Sequence, residues 1–452
     1  MDDFSPYVLL LDLGWISVLL VVGKLLRRFV PVFQKLMVPA PITAGILGLA
    51  LGPEGLGWIP FSDQLNTYTT MLIAAVFGAL PYTMNFSQEV RSGARTMWSV
   101  SVSMFLTQWG IFALLGVLLF APLLSTPEWF GAMVPVGFVG GFGVAAAVGG
   151  SLESQGQEAA MTLGFTAATV GTLAAVVGGV IIAKWGSSTG KTSQLPDFSS
   201  LSDDIRTGWI GQSSERPSVG KATTNPSSIE PIALHVSVVG ITMFVGYQIK
   251  LLLESLFPVL SVPLFASSFV VGMLGVGLLH MVKAPHFVDK DLVGSISGGF
   301  TDYLVVTGVA AIIPAVVADY ALALVLLFLF ALAFCCVYAF VVAPRAFKDP
   351  WFERALFGWG WSTASVATAI AILKIVDPNM KSGTLEEFGV AYVGFAPIEI
   401  LVIIIAPMLI LGGFTLGLGA ATLGAGLIIL SLPFIAQWRR RSSADAGAST
   451  SG

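Results

Sequence analysis

Long apolar stretches separated by short polar turns recur along the whole chain. Runs of about 20 apolar residues are what an α-helix needs to cross a hydrocarbon core of about 30 Å. The pattern predicts spans near 7–26, 39–58, 68–84, 97–123, 159–183, 231–256, 262–282, 296–318, 321–343, 388–410 and 412–436. Two further apolar segments, at 133–151 and 355–374, are broken by glycine and small polar residues and read as hairpins rather than full crossings. Residues 186–230 are different: rich in Ser, Thr, Gly and Pro, with scattered charges. Such a stretch cannot bury enough apolar surface to fold alone, and it reads as a flexible cytoplasmic linker.

The segments on either side of that linker resemble each other. In the first, a polar turn leads into Val38-Pro39-Ala40-Pro41-Ile42-Thr43-Ala44-Gly45; in the second, Val262-Pro263-Leu264-Phe265-Ala266-Ser267-Ser268 leads into Phe269-Val270-Val271-Gly272. Each half continues with two spans, a glycine-rich broken segment and a final long span. An odd number of spans per half turns the second half upside down relative to the first, the inverted-repeat plan of many secondary transporters. The expected fold is an all-α integral membrane protein of two inverted-topology repeats. Each repeat has five spans and a re-entrant hairpin, and one C-terminal span is additional. The organisation is 1–185 for the first repeat, 186–230 for the linker, 231–411 for the second repeat, 412–438 for the additional helix and 439–452 for a cytoplasmic tail.

Composition agrees with a lipid solvent. The 452 residues are 55% hydrophobic and 11% charged, with a mean hydropathy of +0.86, whereas soluble domains carry roughly 25% charged residues. The net charge of −4 says less than the placement of the basic residues. With the N-terminus outside and both broken segments re-entrant, the cytoplasmic side receives Lys24, Arg27, Arg28, Lys35, Arg91, Arg95, the linker's basic residues, Lys283, Lys290, Arg345, Lys348, Arg354, Lys374, Lys381 and Arg439-Arg440-Arg441. Lys250 falls near the other face, and the outer loops carry acids such as Glu54, Asp63, Glu128 and Asp319. A full crossing by either broken segment would invert this bias. Asp2 and Asp3 precede the first apolar run and the basic residues follow it, so an uncleaved first helix is expected rather than a secretory signal. Cys335 and Cys336 are adjacent and offer neither a disulfide framework nor metal-ligand spacing.

The broken segments are where chemistry is expected. The first reads Val139-Gly140-Gly141-Phe142-Gly143-Val144, the second Gly358-Trp359-Gly360-Trp361-Ser362-Thr363-Ala364-Ser365-Val366-Ala367-Thr368. Each glycine weakens a continuous helix by ~1 kcal/mol relative to alanine, and opened backbone at membrane depth is tolerated only inside protein or along a cavity. Free N–H groups at a half-helix start suit a carboxylate, and opened carbonyls suit a sodium ion. Glycines also serve close helix packing, but two clusters at matching places in two halves favour a substrate site. Among charged residues in apolar runs, Asp12 and Lys250 lie near span ends, where snorkelling or an interface accounts for them; Asp302 is open; Glu399 lies mid-span after the second broken segment and is a candidate for facing a cation. A packed, neutral role is expected for His235. No Ser/His pairing or metal-ligand cluster supports a membrane enzyme, so no enzymatic activity, no cofactor and no nucleic-acid partner are expected.

Three stretches carry a resemblance. Gly23-Lys24-Leu25-Leu26 leading to Val38 through Gly45 is similar to Gly-Arg-Lys-Leu and Ile-Pro-Glu-Pro-Val-Ala-Gly-Gly of the bacterial sodium/glutamate symporter family. Gly140-Gly141-Phe142-Gly143 is similar to its Gly-Gly-His-Gly-Thr hairpin, and Gly358 through Ser365 to its Gly-Phe-Gly-Leu-Gly-Ala-Thr-Pro-Thr hairpin. Departures are one glycine missing from the second hairpin, Phe142 for His, Val144 for Thr, Ala364 for Pro, Glu399 for the final span's Asp, no counterpart of that span's Asn, and the extra span at 412–436. The resemblance implies sodium-coupled symport of glutamate or a similar small carboxylate by alternating access in the bacterial plasma membrane. Gly140, Gly141, Gly143, Ser362, Thr363 and Ser365 would meet the carboxylates, and Glu399 and Thr368 the cation. The exchanged hairpin residues keep open a transporter of the same architecture for a hydroxycarboxylate or other organic anion, or an exporter. The extra span is a candidate subunit contact, and a homodimer the corresponding expectation.

Overall fold

A computed structural model describes residues 5–36, 38–84, 92–193, 207–211, 216, 218–256, 262, 264–347, 350–377 and 381–449. The positive residues Arg91 and Lys348 and much of the linker lie outside the described residues. Helices are the regular elements throughout, and no strand occurs among the described residues. Besides two six-residue helices, Pro31–Leu36 and Pro314–Asp319, they are in chain order α1 (Pro6–Phe29), α2 (Ala40–Leu51), α3 (Leu65–Thr83), α4 (Gly93–Leu124), α5 (Met133–Gly137), α6 (Gly141–Val144), α7 (Gly150–Glu153), α8 (Ala160–Ser188), α9 (Pro231–Leu256), α10 (Leu264–Met281), α11 (Lys290–Ala310), α12 (Ala321–Ala346), α13 (Trp351–Thr363), α14 (Val366–Val376), α15 (Thr384–Leu411) and α16 (Thr415–Ser449). Among the described residues, nine helical stretches are long and apolar enough to cross a membrane: α1, α4, α8, α9, α10, α11, α12, the Gly394–Leu411 part of α15 and the Thr415–Ile435 part of α16. The chain is therefore an all-helical, multi-pass membrane protein.

The 39–58 run forms a helix of 12 residues only. Gly52 ends it, with its N–H on the Gly48 carbonyl, and Pro53 cannot continue the ladder.

The chain divides into two compact units. The first comprises residues 1–86, 142–169 and 202–319, and so holds α1–α3 and α9–α11. Its core includes Ile16, Leu19, Ala44, Phe61, Leu65, Tyr68, Val306 and Ala310. Helices approach closely at small residues. A Cβ on Gly23 of α1 would stand 2.5 Å from the Ala40 carbonyl oxygen of α2, and one on Gly246 of α9 would stand 2.8 Å from the Ser268 nitrogen of α10. Several buried polar groups inside this unit are paired. Asp12 is 1% exposed and accepts hydrogen bonds from the Ser62 N–H (3.1 Å), the Ser62 hydroxyl and the Tyr68 hydroxyl (3.0 Å), so it is buried in a network rather than snorkelling. His235 is buried; its Nε2 accepts from the Asp289 N–H (2.8 Å), which leaves Nδ1 to carry the proton toward the Pro231 carbonyl (2.7 Å). That is the packed neutral imidazole expected. Asp289 caps α11 by accepting from the Leu292 N–H. Burial pushes its carboxyl up, but the N–H groups of Leu292 and Lys221 outweigh this and hold it below the usual range.

The second unit comprises residues 87–141, 170–201 and 320–452. Here α16 lies along α4: a Cβ on Gly110 would stand 2.4 Å from the Leu423 nitrogen, and the Ser99 hydroxyl donates to the Ile429 carbonyl (2.6 Å). The other side of α16 exposes Leu416, Leu427, Ile428, Leu432 and Ile435, as a lipid-facing surface would. Arg354 of α13 forks onto both oxygens of Glu387 of α15 (2.7 and 2.8 Å), and Trp361 packs edge-on against Phe388 and Phe395 (5.5 and 5.2 Å). These contacts lock α13 to α15.

Candidate functional site

The second broken segment is a pair of short helices. At 1.5 Å per residue, the 13 residues of α13 and 11 of α14 extend about 20 and 16 Å, each short of a bilayer crossing. They pack on each other where Gly360 lacks a side chain: a Cβ there would stand 2.7 Å from the Ala369 Cα. Helical geometry ends at Ala364 (φ −150°, ψ −120°). Ser365, in extended conformation, then caps α14 by accepting from the Thr368 N–H (3.4 Å), with its Oγ also 3.2 Å from the Thr368 Oγ1. The hydroxyls of Ser362 and Thr363 are spent inside α13, donating to the Trp359 carbonyl at 3.1 and 2.6 Å. Ser365 is exposed and Thr368 half-buried, whereas Ser362 and Thr363 are buried. The tip therefore offers α14's free N–H groups and the Ser365 and Thr368 hydroxyls.

The first broken segment is more fragmented. The five-residue α5 ends at Gly137, and the chain turns through Phe138–Gly140 before α6. Gly141 takes φ +62°, a left-handed conformation that costs a residue with a Cβ roughly 1–2 kcal/mol. A π turn (Ala145–Gly149) then joins α6 to α7. The unit boundary falls at Gly141/Phe142. Gly143 accordingly belongs to the first unit, where a Cβ would stand 3.0 Å from the Ile73 Cδ1. Phe142 is buried in that unit and stacks on Phe165, with ring centroids 6.4 Å apart.

Within the second unit the tips of the two segments meet. A Cβ built on Gly141 would lie 3.8 Å from the Ser365 Cβ and 3.9 Å from the Ala364 carbonyl oxygen. Gln108 of α4, fully buried, donates from Nε2 to the Ser362 carbonyl (3.0 Å) and accepts at Oε1 from the Val139 N–H (3.4 Å). From α8, Gly171 presses on the tip so closely that a Cβ would stand 2.3 Å from the Thr363 carbonyl oxygen. The Trp359 indole N–H donates to the Ala175 carbonyl (3.2 Å).

Of the residues singled out from the sequence, Gly141 is thus brought to Ser365 at the tip that Ser362, Thr363 and Thr368 help to build. Glu399 is not joined to Thr368 by any hydrogen bond among the described residues; it accepts from the Tyr392 hydroxyl at 2.9 Å on its own helix. Asp302 is exposed on α11, and Lys250 pairs with Glu254 one turn away (2.5 Å). Gln108 is the residue that sequence reasoning missed. Its signal was a lone amide in an otherwise apolar run, Leu106-Thr107-Gln108-Trp109.

No curated protein matches the chain. A family model, that of the sodium/glutamate symporter, matches residues 10–375. The match runs from α1 into α14 and takes in both broken segments, Gln108 and Gly171, while Glu399 and α16 lie past its end. Two interrupted helices that meet at their tips inside a multi-pass helical protein are what a transporter needs and what that match spans: the chain belongs to the sodium/glutamate symporter family.

Proposed function

We propose that this protein imports glutamate, or a similar small carboxylate, together with sodium by alternating access. The observation that carries the reading is the meeting of the two broken segments at Gly141 and Ala364–Ser365. Backbone N–H groups at the start of α14, with the Ser365 hydroxyl beside them, suit a substrate carboxylate. Carbonyls freed where α13 ends, and the Thr368 hydroxyl, suit sodium. An unpaired carboxylate is costly to carry through a closed low-dielectric site, so a bound sodium ion offsets that cost and links the two movements. Glu399 has a different part in this reading: paired with Tyr392, it is a second-rank candidate for the cation.

Inverted repeats and re-entrant hairpins belong to the same proposal. Their support is the exchange of α1, α2 and α3 with α9, α10 and α11 in the first unit. Gly23 of α1 sits over α2 as Gly246 of α9 sits over α10; a Cβ on Gly45 of α2 would meet Val309 of α11 at 2.6 Å, and one on Gly78 of α3 would meet Ser268 of α10 at 3.6 Å. The basic residues favour an outer N-terminus and a cytoplasmic C-terminus in a bacterial plasma membrane.

A second reading, transport of a hydroxycarboxylate or another organic anion, or export, is favoured by Phe142. Its ring is buried against Phe165 at the position where the family's hairpin has a histidine. Proteoliposomes test both. Labelled glutamate should enter several-fold faster under an inward sodium gradient than in equimolar potassium. Failure of sodium to stimulate uptake of any dicarboxylate would sink the coupling, and stimulation by a hydroxycarboxylate alone would move the assignment to the second reading.

A further inference from the structure

Each interruption of a helix at membrane depth strips partners from backbone groups, and the hydrocarbon core holds no water to replace them. The turn after α5 frees the Val139 N–H, and the end of α13 frees the Ser362 carbonyl. Gln108 meets both from α4, with Nε2 at 3.0 Å from the Ser362 oxygen and Oε1 at 3.4 Å from the Val139 nitrogen. Only one orientation of the amide does this, because a carbonyl can only accept and an N–H can only donate. The buried thiol of Cys335 completes the cluster, 3.8 Å from the Gln108 Nε2 and 3.7 Å from the Ser362 oxygen.

The geometry points to Gln108 as a positioning residue that holds the tips of both broken segments in one register, acting through their backbones rather than on the substrate. The glutamine amide carries the needed donor and acceptor side by side without a change of protonation state. Ionised glutamate cannot donate to the Ser362 carbonyl, leucine leaves the Val139 N–H unpaired and the Ser362 carbonyl with only the weak Cys335 thiol donor, and asparagine is one methylene short of spanning both.

Only the uptake arm of the test rests on the transport reading above; a thiol arm does not. The chain has two cysteines, so in a Cys336→Ala background Cys335 alone reports. N-ethylmaleimide should label it slowly, and at least about tenfold faster when Gln108→Leu releases the tips. Gln108→Asn should fall between them, and it keeps the series decisive if the leucine variant does not fold. In sodium-driven uptake, Gln108→Asn should raise the apparent KM for glutamate and for sodium together by several-fold at equal protein amount, a shift that simple loss of folded protein does not produce. Unchanged labelling in folded Gln108→Leu or Gln108→Asn protein, or lowered maximal uptake with both KM values intact, overturns the assignment. Absence of any uptake by the wild-type protein defeats the transport reading and leaves the labelling series to decide on Gln108.

Discussion

The two broken segments solve one problem by different means. In the second, α13 and α14 are stable enough to pack on each other, and the break is managed by side chains: Ser365 caps α14, while Ser362 and Thr363 satisfy themselves on Trp359. In the first, a five-residue α5 and four-residue α6 are too short to stand alone. The break there is managed by backbone, through the φ +62° turn at Gly141 among buried Phe142, Val144 and Ala145–Ala147. The lesson is a division of labour. The second segment supplies hydroxyls and a helix start, and the first supplies shape and close approach. Substitutions that change only backbone space should therefore act differently from those that change a polar group.

The largest effect is expected where backbone meets backbone. A Cβ on Gly171 would stand 2.3 Å from the Thr363 carbonyl oxygen and 2.9 Å from the Phe138 ring, so one methyl group presses on both segments at once. Overpacking of this kind costs roughly 1–3 kcal/mol. Gly171→Ala should lower sodium-driven uptake about a hundredfold, which corresponds to ~2.7 kcal/mol, and lower the melting temperature of the detergent-solubilised protein. Uptake within twofold of wild type would show that the Thr363 tip tolerates displacement, and the second segment's rigidity would have to be abandoned.

Gly171 also illustrates what the sequence could and could not reveal. Nine of the eleven expected spans were legible because apolar length is a local, countable property; the 39–58 and 68–84 runs form helices outside that set. The broken segments were legible because glycine clusters stand out in apolar surroundings. What escaped was pairing across the chain. Gln108 is one amide in an apolar run, and its partners are backbone atoms 31 and 254 positions away, which leave no mark in residue type. Asp12 looked like a residue near a span end because its partners, Ser62 and Tyr68, lie beyond α2. Glu399 is legible as a carboxylate inside a span, but spacing alone does not show that its near neighbour is Tyr392.

A smaller effect is expected at Gly141, because the space there is ordinary. A Cβ would meet the Ser365 Cβ only at 3.8 Å, and the cost is the left-handed backbone itself, roughly 1–2 kcal/mol. Gly141→Ala should slow uptake about tenfold and weaken glutamate and sodium alike, since the turn positions a whole segment. Gly141→Asn, a residue that tolerates this conformation better, should recover part of the loss. A loss confined to sodium affinity would mean that Gly141 is a cation ligand and not a hinge of shape.

The smallest effect, and the one that separates capping from contact, is at Ser365. Losing a serine cap costs about 1 kcal/mol, so Ser365→Ala should reduce uptake about fivefold. Asparagine caps a helix start as well as serine does. If the Ser365 oxygen only receives the Thr368 N–H, then Ser365→Asn restores both thermal stability and uptake. If the hydroxyl also reaches the substrate carboxylate, stability returns while the KM for glutamate stays high. The second outcome is expected, because Ser365 is exposed at the tip whereas the neighbouring Ser362 and Thr363 hydroxyls are buried and already committed. Full recovery by asparagine would reduce the second segment to what the first already is, a backbone device, and the division of labour between them would fall.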